Sequence, residues 1–172
     1  MTDTLQTLID ALRTRVTRVF PEQIHAAVAG LTDEQLWWRP NESSNSIGNL
    51  LLHLTGSLNL YLNRNIGGFP FTRDRAAEFA ERRALPKKDV LAMFDEMVAS
   101  AVRTFDALTP ARLSEPSPEP AMHDLVIEDV VNVLSHLSTH VGQIVWIAKM
   151  LDAGGVHEVW MKAHRHGGAW KP

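Results

Sequence analysis

Residues 125–152 read LVIEDVVNVLSHLSTHVGQIVWIAKMLD. Val130, Leu134, Leu137, Val141, Ile144, Ala148 and Leu151 return at intervals of three and four, the spacing that lines up one face of an α-helix. The run predicts a helix from about Leu125 to Asp152, closed by Gly154-Gly155. His136 and His140 stand four residues apart at the edge of this stripe, beside Val133 and Leu137. Four steps of about 100° overshoot one turn by roughly 40°, so both imidazoles project from nearly the same side. A long helix with one apolar face needs other helices to cover it, which directs attention to the rest of the chain.

The upstream segments supply them. Leu5, Leu8, Ile9, Leu12, Val16 and Val19 form an amphipathic face, after which Pro21 is expected to kink or restart the helix, since it lacks an amide hydrogen. The pattern resumes at Glu22 and stops near Gly30. Thr32-Asp33-Glu34-Gln35 has the form of a capping box for a short helix bearing Leu36, Trp37 and Trp38, ended by Pro40. The polar run 41–46 closes on an N-cap for a second long helix, about Ser46 to Ile66, which packs through Ile47, Leu50, Leu51, Leu54, Leu58 and Tyr61 and is stopped by Gly67-Gly68. Phe69 to Pro86 is a charged connector, and a loop of that length in a compact domain is often functional. A third helix after Pro86 carries Val90, Phe94, Met97, Ala101, Phe105 and Leu108 on one face, and the proline-rich stretch from Pro110 to Pro120 leads to the fourth. The expected fold is all-α, a four-helix bundle in one domain over residues 1–172, with a long connector between helices 2 and 3 and a short irregular C-terminal tail holding Trp160, His164, His166 and Trp170.

Composition narrows the function classes. The chain has 172 residues, 45% hydrophobic and 22% charged, which is ordinary for one globular domain. A formal net charge of −3 and a pI near 6.2, with no clustered basic face, argue against a nucleic-acid partner. There is no cysteine, which removes disulfides, thiolate ligands and a cysteine nucleophile together. No apolar stretch approaches the roughly 20 residues that span a bilayer, and the N-terminus lacks a signal-peptide layout, so no membrane association and a cytoplasmic location are expected.

The histidines carry the most pointed signal. His53 lies on the second helix between Leu52 and Leu54, one turn from the core position Leu50. Two helices can therefore offer three neutral imidazoles, from His53, His136 and His140, to one divalent metal ion. Three imidazoles fill half of an octahedral shell or three corners of a tetrahedral one, and either leaves room for water or substrate. A His-x-x-x-His pair also arises by chance on helices, and a single histidine beside a core stripe more often merely packs there. Gln143 and Asp129 share the histidine side of the fourth helix and are candidates for supporting a ligand, contacting substrate or, for Asp129, acting as a general base. Arg73, Arg75 and Glu78 in the connector are candidates for binding a cosubstrate, although a charged run is usually solvated. His25, His123 and His157 have no comparable setting and read as surface or loop residues.

Several motifs in order resemble the DinB-like (YfiT-like) superfamily of metal-binding four-helix bundles. They are Leu36-Trp37-Trp38-Arg39-Pro40, then Asn45-Ser46-Ile47-Gly48-Asn49-Leu50 with His53, then Arg73-Asp74-Arg75 and Glu78-Phe79. The last is His136-Leu137-Ser138-Thr139-His140-Val141-Gly142-Gln143-Ile144. The resemblance implies a three-histidine site for zinc, nickel or a related divalent ion, and frequent dimerisation. It also implies a small-molecule substrate, since characterised relatives include transferases and an isomerase that use low-molecular-weight thiols. The function expected on this basis is a metal-dependent transferase moving such a thiol onto an electrophile, the sulfur arriving on the cosubstrate. A metal-dependent hydrolase and a non-catalytic protein clipped together by its metal remain open beside it. A homodimer packed through helices is expected, with Gly48, Gly56 and Gly142 permitting close approach and Leu52 and Leu60 needing cover.

Overall fold

In the computed structural model, which describes residues 4–83, 85–118 and 123–151, the periodic segments are helices. The first span runs without a break from α1 (Thr4–Thr14) through a π-helical stretch (Arg15–Val19) into α2 (Phe20–Val28). The kink expected at Pro21 is replaced by this widened stretch directly before it. There the amide of Phe20 reaches back five residues to the carbonyl of Arg15, and the wider turn accommodates a residue that cannot join the normal ladder. The short α3 (Asp33–Leu36) begins with the expected reciprocal capping box, Thr32 accepting from the Gln35 amide and the Gln35 side chain accepting from the amide of Thr32.

The second long span is α4 (Ile47–Leu58), extended by a further π-helical stretch (Asn59–Arg64) and ended at Gly68, whose φ of 73° favours glycine. Ser46 caps α4 through a second reciprocal box, its hydroxyl accepting from the Asn49 amide. The connector, expected to be loop, contains α5 (Arg75–Ala80). Its six residues are too few to display a helical period, and Asp74 caps it by accepting from the Ala77 amide. α6 (Lys87–Ala107) and α7 (Val126–Leu151) follow. The link between them includes a 3₁₀ turn (Ala111–Ser114) and an isolated antiparallel bridge between Pro116 and Leu125.

The four long spans form an all-helical bundle in which the first span packs on α6 and α7, and α4 packs on the same two helices. The core is one cluster filled by Ile9, Val16, Ile24, Leu36, Leu51, Leu54, Leu58, Val90, Phe94, Met97, Val130, Leu137 and Ile144 among others, all at most 1% exposed. Gly154-Gly155 and the tail residues Trp160, His164, His166 and Trp170, together with His157, lie outside the described residues. No helix among the described residues is long and apolar enough to cross a membrane.

Two glycines expected to serve contact between copies are used inside the chain instead. A Cβ on Gly48 would come within 2.9 Å of the Trp37 ring, and one on Gly56 would run into Glu78 and Arg73. Leu52 packs against the protein's own core. Gly142 is different, because a Cβ there would meet nothing within 4 Å.

Candidate metal centre

α4 and α7 are neighbours in the bundle, and this adjacency brings residues 83 positions apart into contact. His53 is buried and 6% exposed, while His136 and His140 are half-buried at the edge of the α7 stripe. The Nε2 of His136 lies 3.0 Å from the Nε2 of His53 and 3.0 Å from that of His140. The three rings stand almost at right angles, with interplanar angles of 84–87° and centroids 4.5–5.1 Å apart. His53, His136 and His140 thus form the one group of metal-ligating side chains that converges among the described residues.

Each ring is held from its other nitrogen. His53 Nδ1 faces Glu78 Oε2 at 2.9 Å, His140 Nδ1 faces Gln143 Oε1 at 2.6 Å, and His136 Nδ1 faces the Ser57 hydroxyl at 3.2 Å. A carboxylate and an amide carbonyl only accept hydrogen bonds, so protons on Nδ1 of His53 and His140 satisfy both contacts. Their Nε2 atoms then present bare lone pairs to one another and to His136. Lone pairs converging at this range repel, and a cation placed among them converts the repulsion into coordination. The donor set fits a divalent metal ion, and an acceptor behind each imidazole is the usual support for a ligating histidine.

The electrostatics favour neutral rings at His53 and His136. Burial, above all, lowers the pKa of His53, overriding the hydrogen bond and charge of Glu78 that act the other way. Burial likewise brings His136 down to about 4, helped by His140, His53, Arg73 and Arg75. Imidazoles that resist protonation are ready to ligate at neutral pH.

The connector supplies more of this site than its charged sequence suggested. Arg73 and Glu78 are each 9% exposed at the side chain and form a fork, Nε to Oε1 at 2.7 Å and Nη2 to Oε2 at 2.8 Å. Arg73 Nη2 also lies 3.1 Å from His53 Nδ1. A guanidinium only donates, so this approach is no hydrogen bond to a protonated Nδ1; Arg73 acts on His53 by fixing the Glu78 carboxylate, and the pair is not a solvated run. Arg75 is exposed, with its guanidinium carbon 5.3 Å from the centroid of Phe79. Phe79, which belongs to the Glu78-Phe79 motif but has no site role expected from the sequence, packs on His53 with ring centroids 4.7 Å apart.

Gln143 reaches the site as the expected neighbour of His140, but Asp129 does not. It is fully buried two turns before His136, and its carboxylate is taken by the Ser117 hydroxyl and by His123 Nδ1 at 2.8 Å. This also gives His123 a defined role in tying the α6–α7 link to α7. Ser57, the partner of His136, is not legible in the sequence, because a serine inside a helix carries no spacing signal.

Fold and site together define a helical-bundle protein whose two neighbouring helices present a three-histidine centre able to hold a metal ion. The chain belongs to the DUF1572 family, described as "Protein of unknown function", whose family model matches residues 3–162. No curated protein matches the chain by sequence.

Proposed function

We propose that this protein is a metal-dependent transferase of the DinB-like superfamily, acting with a low-molecular-weight thiol and holding zinc or nickel through His53, His136 and His140. One observation carries the reading. Three imidazole nitrogens converge, and no aspartate, glutamate or further histidine among the described residues joins them. A centre with three protein donors has positions left for a small molecule, whereas a closed structural site uses four.

A divalent ion there supplies Lewis acidity, which lowers the pKa of a thiol placed beside it. The chain has no cysteine, so the sulfur must come with the cosubstrate. The protein's own residues orient and bind. Glu78, Gln143 and Ser57 hold the three rings, Phe79 forms an apolar wall on His53, and Arg75 offers an exposed guanidinium to an anionic group of the incoming molecule. The chain also works as a homodimer in this reading, a view supported by the exposed α7 face bearing Gly142, Trp146 and Met150, the last two 62% and 50% exposed.

The test is metal analysis of the purified protein, followed by a screen of low-molecular-weight thiols against electrophiles with metal-loaded and chelated samples. Thiol consumption that requires the metal is the expected result. A loaded protein that consumes none of the thiols, or chelated protein that works equally well, overturns the transferase reading.

A further inference from the structure

Asn49, His53 and Gly56 stand at intervals of four and three on α4, so they share the face on which α5 lies. Asn49 fastens the end of the connector helix by donating from Nδ2 to the carbonyls of Glu78 at 3.0 Å and Glu81 at 3.2 Å. At the other end of this row, the Glu78 carboxylate and the Arg73 guanidinium cross directly over Gly56. A Cβ on Gly56 would lie 2.8 Å from Glu78 Cδ, closer still to Oε1, and 3.2 Å from Arg73 Nε. Neither side chain can withdraw freely, since both are about nine-tenths buried and locked to each other.

Backbone conformation does not account for this glycine. Gly56 lies within α4 and is not among the positive-φ positions, and a glycine inside a helix destabilises it relative to alanine. The space above it does account for it. We propose that Gly56 is a positioning residue for the metal-ligating tautomer of His53, acting with Asn49. Its missing side chain opens the seat in which the Glu78 carboxylate holds the Nδ1 hydrogen, and this leaves Nε2 bare toward His136 and His140. The proposal rests on the reading that the histidines hold a metal, but it assigns a role to residues that touch neither metal nor substrate.

The experiment uses the full chain with Gly56→Ala, Glu78→Ala and the double variant. Helicity is followed by circular dichroism, zinc affinity by competition with a chelating dye, and the His53 tautomer by ¹⁵N NMR on the metal-free protein. Gly56→Ala and Glu78→Ala should each retain helicity, weaken zinc binding about 10- to 100-fold, the range found when a group supporting a metal ligand is lost, and reduce the Nδ1-protonated form of His53. The double variant should bind zinc no more weakly than Glu78→Ala alone, because alanine at 56 then meets no carboxylate. Wild-type affinity and an unchanged tautomer in Gly56→Ala overturn the proposal, as do losses that simply add in the double variant. Should Gly56→Ala fail to fold, Glu78→Ala and Asn49→Ala carry the same two readouts, and an unaltered tautomer in both overturns it. A wild-type chain that binds no zinc would remove the metal reading, while the tautomer comparison would still decide the role of Gly56.

Discussion

Replacing His136 by alanine separates the metal centre from the fold, and the structure sets the size of each effect. His136 is the hub of the cluster, since its Nε2 is the atom 3.0 Å from both other ligating nitrogens. Its loss removes one of three protein donors, so metal affinity should fall by orders of magnitude. The core lies elsewhere, in side chains such as Leu51, Leu54, Leu137 and Ile144, each contributing about 1.5–3 kcal/mol by burial. His136 is only half-buried at the rim of that core, so its truncation opens little internal cavity. Metal binding itself should stabilise the native state by about 2.7 kcal/mol at a free concentration one hundred times Kd. For a chain of this length, at about 2–4 °C per kcal/mol, zinc should raise the wild-type Tm by about 5–11 °C. The assay is a thermal scan with and without zinc, beside metal content by elemental analysis. His136→Ala should keep wild-type helicity, carry far less metal and show almost no shift. A variant that retains stoichiometric metal and the full shift places the site elsewhere. One that loses its helices along with the metal makes the ion a structural clip and takes away the main support for catalysis.

Other outcomes follow from the same geometry. The folded-state pKa of His136 is about 4 and that of His53 is also depressed, so between about pH 6.5 and 4 the unfolded chain binds more protons than the folded one. Stability of the metal-free protein should therefore drop as pH falls through that window and stay level above it, with a shallower drop in His136→Ala. Urea denaturation at pH 7.5 and 5 decides this, and equal wild-type stability at the two values refutes it. Arg75→Ala should leave metal content unchanged and raise KM for an anionic cosubstrate about 10- to 150-fold, since a hydrogen bond to a charged group contributes about 1.5–3 kcal/mol. An unchanged KM would show that the guanidinium merely rests on Phe79. Light scattering at micromolar concentration should give the mass of a homodimer, and a monomer alone would end that reading.

Much of the fold was legible because helix periodicity is local. The stripes on 5–19, 47–61, 90–108 and 130–151 determined four amphipathic spans, and Thr32 and Ser46 marked the starts of two helices through hydrogen bonds that reach only three residues ahead. His136 and His140 were readable as neighbours for the same reason, since one helical turn places them together. What the tertiary structure alone decided is everything that depends on which helices are adjacent. Packing α4 against α7 joins His53 to the pair and sets Ser57 behind His136. Docking α5 on α4 turns Arg73 and Glu78 from a charged run into a buried fork beside His53 and sets that fork over Gly56, while Trp37 at the end of α3 covers Gly48. Asp129 shows the converse, because the spacing that set it on the histidine side could not reveal that Ser117 and His123 would claim its carboxylate. Spacing along a helix specifies the direction in which a side chain leaves the axis. What it meets there is set by chain segments tens of residues away, brought close by burial of apolar faces that carry no record of their partners.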